Sequence, residues 1–310
     1  MRKFLIAALC LALTFTLGTA EALADDGEVL AEEVLAEIDT PLTTYFGRVQ
    51  DNLQVQVVNK AQLWYAEEAL EGTEYEDLPV IAAMFPNYGG REGPDDYPYL
   101  EDAITTENEG AFYEYTHNTY DIKKLTGAEL IEWMEWVAED EWNQIDPDSE
   151  EDQFLVDLDN VNYWHDHFEG IEYQYDVTQP AGERVDWVEL DGEPLEEDQE
   201  VLVASNDFKV NNDVLPHFPP EVIYSTDETR VVDITYDYLD ERDGEIPELT
   251  HNWSFTPVET EGMVLFETSP DAVEYMEDAP EPTDHIQHVG EYGGYAIMSF
   301  DLSVGFLDEE

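Results

Sequence analysis

The sequence predicts an α+β fold, and three local patterns carry that prediction. Apolar and polar residues alternate over residues 171–177, the period-two pattern of a strand with one buried face. Apolar residues recur at helical spacing over residues 130–137, which indicates a helix with one buried stripe. The pair Asp191-Gly192 lies between two short strand-like runs and is typical of a tight hairpin turn. Helices mixed with antiparallel strands make the class α+β.

The first half of the chain carries the stronger helix signals. Residues 25–36 form an acidic lead-in whose pattern favours a short helix. Apolar residues near helical spacing predict a helix over 55–70 that carries Asn59 and Gln62. Residues 126–129 have the form of a capping box, because the threonine hydroxyl and the glutamate carboxylate can satisfy N–H groups of the first turn. The helix behind this box would bury one face, formed by Leu130, Trp133, Met134 and Val137.

The second half of the chain favours strands. Residues 168–208 are predicted to hold two short strands, a turn and a third strand over 201–208. This third strand would place on one face Leu202, Ala204, Asn206 and Phe208. Residues 228–239 are either a helix or a strand rich in threonine, valine and tyrosine. Late strands are predicted over 264–266 and 295–302.

Residues 1–24 have the layout of a secretory signal peptide. The basic pair Arg2-Lys3 precedes an apolar core over residues 4–17, and a small-x-small cleavage site ends at Ala24. The short core followed by a cleavage site argues against a membrane anchor. Such a signal peptide would direct export to the periplasm, the cell envelope or the medium, and it would be cleaved near Ala24. Because Cys10 is the one cysteine, the mature chain would contain no disulfide.

The charge balance excludes two classes of partner. The chain has 76 acidic and 11 basic residues, for a net charge of −65. Such a field repels nucleic acids and anionic membranes, so neither is expected as a partner. With 43% hydrophobic residues the chain can still bury a core, which argues against disorder. A folded chain this acidic suits a high-salt environment, where screening shortens the range of self-repulsion.

The remainder of the chain, residues 37–310, is expected to be one large domain or two intimately packed lobes, since no Gly/Ser linker or internal repeat interrupts it. Nine basic residues remain outside the signal peptide (11 minus Arg2 and Lys3). Four of them stand out in so anionic a chain, namely Arg91, Arg184, Lys209 and Arg230. Arg184 and Arg230 are expected to be structural ion-pair partners.

Nine short segments occur in the order that they have in one known family. They include PLTTYFGRVQD at residues 41–51, VQVVNKAQ at 55–62, LTGAELIEWMEW at 125–136 and FETSP at 266–270. From about residue 37 onward, the chain resembles the C-terminal, substrate-binding domain of the 5′-nucleotidase family. The most similar branch is the bacterial periplasmic 2′,3′-cyclic-nucleotide 2′-phosphodiesterase/3′-nucleotidases. The resemblance implies a 5′-nucleotidase C-terminal-like fold of mixed sheets and packed helices.

The resemblance also implies binding residues. In this family the C-terminal domain holds the base between two aromatic rings, and Tyr115 and Phe208 occupy the corresponding positions. Stacking tolerates any base because every base has a π face. Arg91 follows Gly89-Gly90 where the family has a loop near the phosphate, and a guanidinium fork suits phosphate oxygens. Asn118 and Asn206 are candidate polar contacts. The alternatives are that both rings are core residues and that Arg91 forms a salt bridge.

Three departures affect this pocket. The glycines expected after the second aromatic residue are replaced by the sequence of residues 210–213, VNND. Glu107 stands where the most similar branch often has a basic residue. The segment between Tyr115 and Thr126 is one residue too long, so either His117 or Asn118 fills the asparagine position of the family.

The metal-binding motifs of the family's N-terminal metallophosphoesterase domain are missing from this chain. The sequence contains no Asp-x-His, Gly-Asp, Gly-Asn-His or Gly-His-x-His segment. His165 and His167 could share a face of a strand, but a site needs three or four ligands. We therefore expect no catalytic residues, no metal and no cofactor on this chain, with divalent metals only on a missing or separate metallophosphoesterase domain.

Three functions fit these observations. The first is an exported nucleotide-recognition domain in nucleotide catabolism that works with a separately encoded metallophosphoesterase. The second is a non-catalytic nucleoside- or nucleotide-binding protein. The third is a diverged structural remnant without a ligand. The residues leave open whether the chain takes part in hydrolysis.

Overall fold

The computed structural model of the chain describes residues 32–84, 88–90, 93–157, 164–211 and 221–305. The helices of these segments are α1 (Leu53–Leu70), α2 (Glu109–Phe112), α3 (Gly127–Glu141), α4 (Asp207–Asn211), α5 (Val231–Glu241) and α6 (Ala272–Tyr275). The first strands are β1 (Val34–Glu37), β2 (Leu42–Thr43), β3 (Val80–Met84), β4 (Tyr99–Leu100), β5 (Ala103–Thr105), β6 (Thr119–Thr126), β7 (Gln153–Phe154) and β8 (His167–Glu169). The later strands are β9 (Glu172–Tyr175), β10 (Val185–Leu190), β11 (Glu193–Pro194), β12 (Glu200–Asn206), β13 (Glu221–Arg230), β14 (Trp253–Phe255), β15 (Val264–Thr268), β16 (Ile286–Tyr292) and β17 (Tyr295–Phe300). Helices and strands mix along the chain, which confirms the α+β class.

A five-stranded sheet with the order β13-β6-β12-β3-β8 lies at the centre of the described structure. β12 pairs parallel with β3, and its other neighbour, β6, is antiparallel. Two four-stranded sheets have the orders β11-β10-β9-β14 and β16-β17-β15-β7, and two ribbons pair β1 with β5 and β2 with β4.

Alternating side chains on β12 separate two hydrophobic cores. Val201 and Val203 belong to a core formed with α3 and the two four-stranded sheets. Leu202 and Ala204 belong to a second core formed with α1 and α5. Because successive side chains of a strand point to opposite faces, a strand covered on both sides is apolar throughout. β12 thus runs between the two cores and carries its last residues to one edge.

The two predicted helices form as expected. α1 begins after Asn52, whose Oδ1 accepts from the backbone N–H of Val55 at 3.3 Å. At α3, Thr126 and Glu129 form a reciprocal capping box. The predicted apolar face of α3 is fully buried, with Leu130, Trp133, Met134 and Val137 each at 0% exposure. Within the described segments, no helix combines the length and the apolar character needed to cross a bilayer.

The hairpin at Asp191-Gly192 is also confirmed. It joins β10 to β11 in an antiparallel pair. Both turn residues have positive φ, 56° for Asp191 and 76° for Gly192. A two-residue turn with both φ positive matches the right-handed twist of its strands, and a glycine tolerates that conformation without strain.

Two regions differ from the sequence patterns. The end of the acidic lead-in is β1, paired with β5, and the short helix favoured for this stretch is wrong for that part. The region 228–239, which the pattern left as either a helix or a strand, contains both. The strand β13 ends at Arg230, and the helix α5 begins at Val231. Pairing with β6 extends β13 as far as Arg230. A local sequence pattern cannot predict such a pairing with a distant strand.

Candidate functional site

Phe208 lies on a short helix at the end of the central strand, and the predicted strand over 201–208 is wrong in its last two positions. β12 ends at Asn206, and α4 begins at Asp207. The side-chain Oδ1 of Asn206 accepts from the backbone N–H of Lys209 at 2.8 Å, the bond of a helix cap. The Oδ1 of Asp207 accepts from the backbone N–H of Thr119 at 2.9 Å. These bonds fix the start of α4 and therefore the position of Phe208.

The ring of Phe208 stacks on Trp164. The two ring centroids are 5.6 Å apart, and the planes are tilted by 26°. Trp136 of α3 packs against the same indole, with centroids 5.1 Å apart and planes at 71°. Phe208 nevertheless remains 37% exposed. An aromatic ring that is held from behind and open to solvent is a surface on which another flat ring can stack.

A buried ion pair lies beneath this stack. The Nζ of Lys209 is 2.9 Å from the Oδ2 of Asp166, and both side chains have no exposed area. The same Nζ lies 4.7 Å from the ring centroid of Trp164. Asp166 also accepts from the Nε1–H of Trp133 at 3.1 Å. Burial lowers the pKa of Lys209 and raises the pKa of Asp166, and each partner opposes the effect of burial on the other.

A second buried lysine adjoins the same cluster. Lys123 of β6 is fully buried, and its Nζ lies 4.3 Å from the ring centroid of Trp133. Burial lowers the pKa of Lys123 to about 7, although the Asp166 carboxylate acts in the opposite direction. Two of the 11 basic residues of the chain thus lie under the aromatic surface and not on the outside.

Asn118 and Asn206 meet at a buried tyrosine hydroxyl. The Nδ2 of Asn206 donates to the Oη of Tyr113 at 2.9 Å, and that hydroxyl donates to the Sδ of Met84 at 3.2 Å. Asn118 is hydrogen-bonded to the same tyrosine, whose pKa is raised by burial and lowered by both asparagines. The side chains of Asn118 and Asn206 are 6% and 0% exposed, so these contacts brace the edge of the sheet from inside.

Tyr115 is half-buried. Its ring packs against Val55 and Tyr88, and it meets His117 at a centroid distance of 6.4 Å with the planes at 79°. The backbone carbonyl of Tyr115 accepts from the N–H of Asn118 at 2.9 Å, which closes a turn. Between the two candidates for the family's asparagine position, Asn118 is buried and His117 is exposed.

Arg91 lies outside the described residues. The glycine pair before it has a structural reason that requires no ligand. Gly89 and Gly90 have φ of 69° and 74°, and a Cβ on Gly89 would lie 2.4 Å from the Cα of Tyr97. A side chain at Gly89 would therefore collide with backbone.

His165 and His167 are buried against each other. Their Nε2 atoms are 3.1 Å apart, and the Nε2 of His167 is 2.8 Å from the carbonyl oxygen of Gly47. Trp253 donates its Nε1–H to the Nδ1 of His167 at 3.3 Å, so the Nε2 of His167 carries the proton that Gly47 accepts. Burial lowers the pKa of both histidines, that of His167 to about 3. The pair is packed as neutral core residues.

The other singled-out arginines have structural contacts. Arg230 pairs with Asp233 through two hydrogen bonds, as expected of an ion-pair residue. Arg184 instead donates from Nη1 to the backbone carbonyls of Ala138 and Trp142 at 2.6 and 2.7 Å. It therefore caps the C-terminal end of α3, where a cation is favoured.

The sequence patterns missed the support of Phe208. Trp164, Lys123 and the Lys209–Asp166 pair were not recognised as one cluster, because their members come from different parts of the chain. The rarity of lysine was the one signal that could have pointed to them, since a basic residue next to an aromatic one stands out in this composition.

Comparison with known proteins identifies the family. Residues 34–219 match the model of the 5′-nucleotidase C-terminal domain. The chain belongs to this family. A trifunctional nucleotide phosphoesterase, YfkN of Bacillus subtilis, is 31% identical over 289 residues, which are 87% of this chain and 19% of that protein. A 2′,3′-cyclic-nucleotide 2′-phosphodiesterase/3′-nucleotidase of Salmonella typhimurium is 33% identical over 292 residues, 84% of this chain and 44% of the relative.

The solved structures agree with the fold. A 5′-nucleotidase precursor from Thermus thermophilus superposes with a TM-score of 0.51 at 21% identity, covering 72% of this chain and 39% of that one. At this identity the likeness shows a shared 5′-nucleotidase C-terminal fold. This chain spans less than half the length of both curated relatives, so their activities are properties of longer proteins.

Proposed function

We propose that this 5′-nucleotidase C-terminal domain recognises a nucleoside or nucleotide by stacking the base on Phe208. The observation that carries the proposal is the exposed ring of Phe208, backed by Trp164 in a near-parallel stack. Stacking a base on a ring that is already fixed costs the protein little conformational entropy, and stacking needs no specific hydrogen bond. The family membership supports the same ligand class.

The other candidate residues receive different roles in this proposal. Tyr115 is the second stacking ring, and Arg91 is the phosphate contact. Asn118 and Asn206 act indirectly, because their amides bond the hydroxyl of Tyr113 and hold the sheet edge that carries Phe208. The lysine beneath the stack keeps Trp164 in place through its contact with the indole.

The stacking proposal predicts a loss of affinity on truncating one ring. We expect Phe208→Ala to weaken adenosine binding roughly 5- to 150-fold, since stacking on an aromatic side chain contributes about 1–3 kcal/mol per base. Isothermal titration calorimetry of the wild type and the variant measures the change. Tyr292→Ala is the matched control, because Tyr292 is 77% exposed on the hairpin of β16 and β17. Equal affinities of Phe208→Ala and wild type would remove Phe208 from the site.

We further propose that this chain binds nucleotide but does not hydrolyse it by itself. The motifs that carry the metal ions in the family do not occur in these 310 residues, so the ions would be held by a metallophosphoesterase domain elsewhere. The pure chain, supplied with Mn²⁺, Co²⁺ or Mg²⁺, should release no phosphate from 3′-AMP and should not open 2′,3′-cyclic AMP. Metal-dependent phosphate release that follows the protein through purification would contradict this proposal.

Two alternatives have a specific basis. Binding without a catalytic partner fits the same platform, and adding a metallophosphoesterase that lacks this domain distinguishes the two, since only a partner domain would alter its turnover. A remnant without a ligand fits the replacement of the family's glycines by residues 210–213. No adenosine binding by the wild type would favour the remnant.

We also propose that the domain acts outside the cytoplasm. The basic start, the apolar core and the small residues up to Ala24 support export. Expression of the full-length gene with fractionation, followed by N-terminal sequencing, should give a mature protein that begins at Asp25. A mature chain that retains Arg2 and Lys3 would contradict this assignment.

A further inference from the structure

A separate cavity of about 570 Å³ lies between the β2–β4 ribbon and α6. Three tyrosines form its aromatic wall. Tyr99 comes from β4, opposite Thr43 of β2, Tyr45 follows β2 by two residues, and Tyr275 ends α6. Its volume falls within the range of small-molecule sites. None of the three tyrosines is among the residues described around Phe208.

The ring of Tyr275 stands nearly at right angles to each of the other two rings. Tyr275 meets Tyr45 at a centroid distance of 5.4 Å and an angle of 86°, and it meets Tyr99 at 6.4 Å and 84°. Rings set at right angles present aromatic surface on more than one side of a space, which one flat stack cannot do. Tyr99 is 49% exposed, a large fraction for an aromatic residue.

Two of the three hydroxyls are engaged behind the cavity. The Oη of Tyr275 donates to the Oε2 of Glu281 at 3.2 Å, and Tyr45 bonds Ser269 and Thr43. A phenol that donates to a carboxylate gains electron density in its ring, which strengthens the negative potential of the ring face. Burial raises the pKa of Glu281 to about 7, so this carboxylate is charged above that pH.

The cavity also carries negative charge. Asp271, Glu274 and Asp278 line it, and no lysine, arginine or histidine is among the described residues of its lining. Carboxylates alone would mean little in a chain with 76 acidic residues. Here they adjoin three electron-rich rings, and the rings decide the ligand class. A hydrated metal ion gains little from aromatic walls, and an anion is repelled.

We propose that this cavity binds a small organic ammonium ion. The apolar groups around the nitrogen would fill the space between the rings, the positive charge would lie against the ring faces, and the carboxylates would add attraction from the rim. The site is independent of the proposed nucleotide site, because it shares no residue with it and takes a ligand of opposite charge.

The decisive experiment compares two ligands of the same shape on the wild-type protein. Choline and its neutral isostere 3,3-dimethylbutan-1-ol differ only in the charge at the branched centre. In calorimetric titrations at pH 8 and constant KCl, choline should bind at least roughly tenfold more tightly than the isostere. Equal binding of the two would show an ordinary apolar pocket and overturn the proposal, as would the absence of saturable binding of choline.

Two variants locate the site. Tyr99→Leu and Tyr275→Leu keep apolar bulk but remove the aromatic face, and each should weaken choline binding roughly fivefold or more. Tyr292→Leu, an exposed tyrosine away from the cavity lining, should leave the affinity unchanged. Should Tyr275→Leu fail to fold, the exposed Tyr99 still decides the question. Unchanged affinity in Tyr99→Leu would overturn the proposal, and unchanged adenosine binding in it would show that the two sites are separate.

Discussion

At the scale of single residues, the least expected feature is the burial of two lysines in a chain with a net charge of −65. Lys209 and Asp166 are both fully enclosed, and removing two charges from water is unfavourable. The arrangement is tolerated because Asp166 accepts from two donors and the ammonium group lies over an indole ring. Such a pair specifies a geometry more than it adds stability, and the geometry here is that of the Phe208 stack.

Breaking this pair should destabilise the fold strongly. We expect Lys209→Met to lower the free energy of unfolding by about 3–5 kcal/mol, because the Asp166 carboxylate is left buried without its counter-ion. Urea denaturation in molar KCl, followed by near-UV dichroism, measures the change. Lys124→Met is the control, since Lys124 pairs with Glu200 and Glu221 at the surface and should matter far less.

The double variant Lys209→Met/Asp166→Asn separates ion pairing from packing. If the unpaired charge is the cause, the double variant should recover part of the stability lost in the single one. A double variant as unstable as the sum of the two singles would contradict the ion-pair explanation and leave packing as the reason.

At the scale of elements, helices were predictable where local chemistry is sufficient. The capping box of α3 involves only Thr126 and Glu129, three residues apart, and it forms as predicted. The short helix α4 was not predictable, because its cap is Asn206 and that residue is held by Tyr113, 93 residues away in sequence. The strand pattern of residues 201–208 is sound up to Asn206 and fails where these distant contacts act.

Loss of the α3 cap gives the prediction for this scale. We expect Thr126→Ala to lower the free energy of unfolding by about 1 kcal/mol, because the backbone N–H of Glu129 loses the hydroxyl that accepts from it. Thr126→Ser keeps the hydroxyl and should retain most of the stability. Urea unfolding of the two variants beside the wild type tests this, and an equal loss in both would show that the methyl group, not the cap, is what matters.

At the scale of the whole molecule, the dominant feature is the net charge of −65. Electrostatic screening extends over about 10 Å at 0.1 M salt and about 3 Å at 1 M salt, so self-repulsion of an acidic surface falls steeply between the two. We propose that this protein is adapted to high salt. Its buried aromatic clusters, such as Trp142 with Trp253 and Tyr175, should report on folding through their near-UV dichroism.

This adaptation predicts a salt-dependent fold. We expect the near-UV dichroism of the wild type to be strong in molar KCl and to decrease on dialysis into dilute buffer, because repulsion among carboxylates is then unscreened. Sucrose at equal osmolality is the control, since it stabilises folded proteins without screening charge. An identical signal in dilute buffer and in molar KCl would contradict the high-salt assignment.

The sequence by itself determined the α+β class, the family, the two main helices and the residue types that face the core, because these follow from patterns that repeat within a few positions. Only the tertiary structure decided what stands around Phe208. The indole behind it, the Lys209–Asp166 pair below it and the bond from Asn206 to Tyr113 that braces its strand join positions 43 to 93 residues apart. The tertiary structure likewise buries the His165–His167 pair in the core and places three tyrosines from separate elements around one cavity. Contacts of this kind depend on how sheets and helices pack, which no local periodicity encodes.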